Sequence, residues 1–174
     1  MTITPDDKDW TWVLQQPCPD CGFDARSLDV RTTGAAARAN ATAWPAVLER
    51  AEARSRPDDQ TWSALEYACH VRDVFTRFDQ RLQMMLDQDD PLFPNWDQDT
   101  TAVDDRYGEQ DPAVVAEQLV AAGEALATRF DAVTGDQWQR PGRRSDGASF
   151  TVDSFARYFL HDPVHHLWDV KVTE

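Results

Sequence analysis

Four imidazoles fall in two places along this chain: His70, within WSALEYACHVRD, and the cluster His161-Asp-Pro-Val-His165-His166. His161 and His165 are four residues apart, so on a helix they stand one above the other on one face. A third imidazole from another helix would complete a three-nitrogen set. Such a set holds a divalent ion and leaves one coordination position open for water or substrate, as catalytic zinc sites do. His70 is the candidate for that third place, provided its helix faces the pair.

Pro163 lies between the two members of the pair. It removes the hydrogen bond to the Phe159 carbonyl and predicts a kink or a π-type bulge, which would let His166 replace His165 beside His161. Glu66 and Asp73 flank His70 at one-turn spacing, and Asp169 stands one turn beyond His165. Each could accept the second N–H of an imidazole and fix its tautomer. Taken singly, each acid is more simply a solvated helix-surface residue. Trp44, Trp62 and Trp168 read as core, with Trp168 the best placed to wall a pocket because it follows His165 by nearly one turn.

Cys18-Pro-Asp-Cys21-Gly has the shape of one half of a thiolate zinc knuckle. There is no second CxxC, and Cys69 is the only other thiol, so four thiolates cannot come from one chain. Three alternatives stand: a tight turn carrying two free thiols, a mixed Cys/His metal site with the arm folded over the histidines, or a redox pair. The redox reading lacks the βαβ setting in which thioredoxin-type motifs sit. Cys69 reads as a small core residue.

The elements that must position these groups are helical. Only 7 glycines in 174 residues, with 7 Trp and 8 Phe to fill a core, favour packed helices over a turn-rich β architecture. A first helix is expected over about 29–54, with Ala37, Ala41, Trp44, Val47 and Leu48 on its apolar stripe. Ser63-Ala-Leu-Glu66 is a capping box opening a second helix to about residue 87. Residues 88–111 form a long connection of the kind that lines sites. Asp111-Pro112 opens a third helix that stops before Gly135. After a loop at 135–150, a last helix begins near Thr151 or Asp153. The fold class is therefore all-α: a four-helix bundle over 29–174 with long connections, preceded by an irregular arm over 1–28.

A net charge of -14 argues against nucleic acid and anionic membranes as partners. No run approaches the roughly 20 apolar residues of a membrane span. An odd cysteine count and an N-terminus without a signal-peptide pattern make a reduced, cytoplasmic setting the simplest expectation.

Thr61-Trp62-Ser63…Glu66…His70 together with His161-Asp162…His165-His166-Leu167-Trp168 resemble the DinB-like superfamily, which includes YfiT-type proteins and the mycothiol-dependent maleylpyruvate isomerase group. The resemblance covers about 29–170 and implies a four-helix bundle in which His70, His161 and His165 hold a metal, zinc first and nickel as the alternative. It further implies a thiol S-transferase using a mycothiol- or bacillithiol-type cofactor on a small electrophile, with Asp73 or Glu66 orienting an imidazole and Trp168 lining the cofactor pocket. A hydrolase working through a metal-activated water, with Asp162 or Glu66 as base, is the second expectation. A non-catalytic binding protein is the third, and homodimerisation through helix faces is compatible with all three.

Overall fold

The structure is a computed structural model and describes residues 9–172. Five α-helices carry it: α1 Thr33–Leu48, α2 Ala64–Asp87, α3 Gln98–Asp104, α4 Pro112–Asp131 and α5 Val152–Val172. A two-stranded antiparallel hairpin, β1 Pro141–Arg143 and β2 Ser149–Thr151, pairs Gly142 with Phe150. The four long helices form the bundle. α1 and α2 each pack against both α4 and α5, so the first two helices lie largely across a diagonal from one another. That order makes α2 and α5 direct neighbours, which the histidine argument requires.

Local chemistry accounts for the helix starts. Ser63 Oγ accepts from the Glu66 N–H at 3.2 Å, and Glu66 Oε2 accepts from the Ser63 N–H at 2.9 Å. These bonds satisfy two donors that the first turn of α2 would otherwise leave orphaned. Asp111 caps α4 through the N–H groups of Ala113 and Val114, with Pro112 in the first turn. The interior is aromatic: Phe78 contacts Phe155 and Phe159 at 4.8 and 5.2 Å between ring centroids, and Phe159 stacks on Phe130 at 5.8 Å. Gly123 lets α4 approach α1, because a Cβ there would lie 2.4 Å from that of Ala41.

Several boundaries differ from those the sequence suggested. α1 stops at Leu48 rather than near residue 54. A 3₁₀ turn precedes it, and after Glu49 the chain turns so that buried Ala53 accepts the Leu65 N–H at 2.8 Å. The 88–111 connection contains α3 and a 3₁₀ turn at Tyr107–Glu109. Its start is tied to the hairpin where Phe93 N–H donates to the Arg143 carbonyl and Arg143 N–H to that of Pro91, both at 2.8 Å. The 135–150 loop holds a 3₁₀ turn and the hairpin. α5 runs as continuous α-helix through Pro163, with no π turn. Asn40, buried in α1, donates its amide N–H to the Pro163 carbonyl at 2.7 Å.

Residues 9–28 hold only short 3₁₀ turns and are packed down on the bundle. Arg157 of α5 donates to the carbonyls of Ala25 and Leu28 at 2.5 and 2.8 Å, and Val13, Cys18 and Ala25 are buried. Residues 1–8 of the expected arm lie outside the described part. No helix among the described residues is long and apolar enough to cross a membrane.

Candidate metal centres

α5 carries HDxxHH, which contains two overlapping i,i+4 pairs rather than one. His161/His165 and Asp162/His166 lie on adjacent stripes about 100° apart around the helix, and the two pairs meet different partners. His161 and His165 face the arm, where Cys18 and Cys21 approach them. Asp162 and His166 face α2 and meet His70. In each group, one ligand atom per residue lies within 4.8 Å of the others.

In the α2-facing group, His70 Nε2 is 3.4 Å from Asp162 Oδ2. That is long for a hydrogen bond, yet it matches the ligand–ligand edge of about 3.4 Å expected around a tetrahedral ion with N and O bonds of about 2.0–2.2 Å. His70 Nδ1 and Asp162 Oδ1 are buried without a hydrogen-bond partner. The chemistry of the donor set and the orphaned Asp162 oxygen fit a divalent cation, whereas His70 Nδ1, across the ring from Nε2, would not reach it. Burial would raise the Asp162 carboxyl, but the neighbouring imidazoles of His70 and His166 outweigh it and bring the group down to about 2. His166 Nδ1 lies 2.9 Å from Asp169 Oδ2, which can orient its ring.

This group opens on a cavity of about 440 Å³ lined by Trp62, Tyr67, Trp96, Arg81, Arg144 and Tyr158, among others. The Trp96 ring lies nearly parallel to that of His70, 5.8 Å away. Trp62 is therefore a cavity wall rather than core, at 5.5 Å from His70, whereas Trp44 is fully buried as core. Arg81 is buried at 9 % exposure against Phe78 and Phe93. Its guanidinium has one long hydrogen bond, to the Pro94 carbonyl at 3.4 Å, and no carboxylate pairs with it among the described residues. Burial pushes its pKa down to about 10.

In the arm-facing group, Cys18 Sγ is 3.5 Å from His165 Nδ1. His161 Nε2 is buried without a hydrogen-bond partner, and burial, reinforced by His165, lowers that imidazole to about 4. Burial likewise depresses His165 and lifts the Cys21 thiol to about 11. Trp10 and Phe23 lie over His161 at 5.5 and 6.0 Å.

The structure thus divides the set expected from the sequence. His161 and His165 stay together, 5.1 Å between ring centroids, but His70 groups with Asp162 and His166 instead. Neither proposed orienting acid on α2 reaches an imidazole. Glu66 is taken by Ser63 and Arg56, and Asp73 by Arg72 and the Tyr107 hydroxyl. Asp169 takes that role. Trp168 packs on His165 at 5.5 Å and is not part of the cavity wall. Cys69 is core, its thiol 3.8 Å from the Tyr107 carbonyl. Asp162 as a ligand was legible only as the second i,i+4 pair in HDxxHH.

Comparison with known proteins agrees with this architecture. A family model described as DinB superfamily matches residues 34–170. The fold is similar to that of YfiT from Bacillus subtilis, described as "a probable metal-dependent hydrolase with an unusual four-helix bundle topology", with a TM-score of 0.64 and 13% identity over 97% of this chain and 91% of that one. No functionally curated protein matches the chain significantly.

Proposed function

This chain belongs to the DinB superfamily, and on that premise we propose that it is a metal-dependent enzyme with His70, Asp162 and His166 as ligands, transferring a low-molecular-weight thiol to a small anionic electrophile. The observation that carries the reading is the convergence of these three side chains, with an orphaned carboxylate oxygen on Asp162, on the wall of a cavity large enough for a small molecule. Two nitrogens and a carboxylate suit zinc, with nickel as the alternative. When bound, the ion supplies Lewis acidity that lowers the pKa of a thiol or water presented to it.

The remaining work belongs to the protein. Asp169 holds the His166 ring through Nδ1. Arg81, buried without a carboxylate partner, is placed to receive a substrate carboxylate. Trp62 and Trp96 wall the cavity beside His70. A sulfur nucleophile suits this setting because the acids the sequence offered as bases are already engaged: Asp162 by imidazoles and Glu66 by Ser63 and Arg56. The new S–C bond forms at the electrophilic carbon, and the thiol proton leaves with the displaced group or stays on the adduct.

Hydrolysis is the second reading. The likeness to YfiT favours it, and Asp99, on the cavity wall in the first turn of α3, is the carboxylate that would serve as base.

Elemental analysis of purified protein, followed by parallel assays, tests the proposal. One assay joins a thiol to a chloronitroaromatic acceptor, and the other releases nitrophenol from an ester without thiol. Thiol-dependent turnover lost in His70→Ala and His166→Ala supports transfer, and thiol-independent turnover lost in both supports hydrolysis. Turnover or metal content unaffected by either substitution would overturn the site.

A further inference from the structure

We propose that Cys18, Cys21, His161 and His165 form a second, closed zinc site that fastens the N-terminal arm to α5. Its four donors are a knuckle and a helical pair. In the knuckle, Gly22 takes φ +75, its N–H donates to the Cys18 carbonyl at 3.0 Å, and the Cys18 N–H donates to the Phe23 carbonyl at 2.9 Å. That conformation favours glycine and brings both thiols to one side of the turn. The pair is an i,i+4 repeat on one stripe of α5.

The distances fit an ion of known size. Zn–S of about 2.3 Å and Zn–N of about 2.0–2.1 Å at a tetrahedral angle separate S from N by about 3.6 Å. Cys18 Sγ and His165 Nδ1 are 3.5 Å apart. One ligand atom from each of the four residues lies within 4.8 Å of the rest. The buried His161 Nε2 without a hydrogen-bond partner points independently to a missing ligand, since a buried polar atom left unsatisfied is costly.

The donor count separates this site from the other. Four protein ligands fill a tetrahedral ion and leave no position for substrate, so this ion is structural, whereas His70, Asp162 and His166 leave one open. The arm, which contributes only short 3₁₀ turns between residues 9 and 28, is already held by Arg157 and by the burial of Val13, Cys18 and Ala25, and the ion adds to that hold. Zinc binding deprotonates both thiols and releases those protons to solvent, joining the arm to the bundle by coordinate bonds. Trp10 and Phe23 pack on His161 from the arm side, while His161 and His165 also border the cavity on which His70 opens.

The test uses the full chain and zinc itself. Purified protein should hold one zinc that persists in a His70→Ala/His166→Ala double variant and is absent from Cys18→Ser/Cys21→Ser. In wild type and in the double variant, cobalt replacing zinc should give a thiolate-to-cobalt charge-transfer band, which a site without sulfur cannot produce. Stripping the metal should expose the arm to trypsin at Arg26 and Arg31, with the bundle left intact and zinc restoring protection. If the cysteine variant keeps its full zinc, if cobalt gives no thiolate band, or if Cys18 and Cys21 are isolated as a disulfide without metal, the inference fails. The open site would be untouched by that failure, because it shares none of these four ligands.

Discussion

Asn40 gives the sharpest quantitative prediction, because one buried side chain bridges α1 to the turn of α5 that carries all the α5 ligands. Its amide N–H donates to the Pro163 carbonyl at 2.7 Å, and its carbonyl oxygen accepts the Trp44 indole N–H at 3.2 Å, with Trp44 fully buried. Asn40→Ala leaves that indole N–H buried and unpaired, at about 1–3 kcal/mol. The vacated volume adds about 1 kcal/mol if the site does not collapse. A total of about 2–4 kcal/mol corresponds to a Tm decrease of roughly 4–16 °C for a chain of this length. Urea and thermal unfolding with chelator present would measure it free of ion binding. Asn40→Leu separates the two contributions, since it restores volume without hydrogen bonds and should remain destabilised by more than about 1 kcal/mol. A Leu variant as stable as wild type would show that the amide bridge contributes nothing and that only space-filling matters at this position.

Arg81→Met should leave stability unchanged or raised, since it removes a buried charge that lacks a carboxylate partner. The same variant should weaken carboxylate substrates by about 10- to 100-fold in KM, for a lost charge-assisted bond of about 1.5–3 kcal/mol; a lower Tm with unchanged KM would make the residue structural. Gly123→Val should destabilise by about 1–3 kcal/mol in urea melts, because its Cβ already meets that of Ala41 at 2.4 Å. Glu66 should confer acid-sensitive stability. Burial raises its carboxyl, but bonds from Arg56 and Ser63 outweigh that and hold it below the ordinary range. Its contribution is therefore complete above the unfolded pKa of about 4.3 and declines as pH falls through the lower folded value, so the acid slope of stability should be shallower in Glu66→Gln by that one group's share.

What the sequence made legible was local. The Ser63–Glu66 box, the Asp111-Pro112 start and the stripes of α2 and α4 follow from spacing alone, and the structure carries them at those residues. The 3₁₀ turns, α3 and the hairpin were hidden because each is short and held by contacts distant in sequence, such as those of Phe93 and Arg143. In the site, spacing identified the histidines but not how to group them. In HDPVHH the pair His161/His165 stands out, while the second pair, Asp162/His166, is masked because His166 also reads as a substitute for His165. The approach of the thiols to His161 and His165 depends on the arm lying against α5, where Arg157 holds it through a contact that spacing does not reveal. Glu66 and Asp73 showed the reverse error: one-turn spacing placed them near His70 in sequence, while their side chains leave the helix towards other partners.

The one-residue offset between the two ligand pairs, combined with the tandem His165-His166, makes the pairs exchange partners when the register of α5 slips. Adding one residue between Asp162 and His165 would turn the downstream histidines by about 100°, bringing His165 to the place four residues after Asp162 and leaving His161 without a partner, whereas deleting one would bring His166 to the place four residues after His161 and leave Asp162 alone. A change of length by one residue therefore keeps one pair and loses the other, so the doubled histidine buffers the segment against a slip.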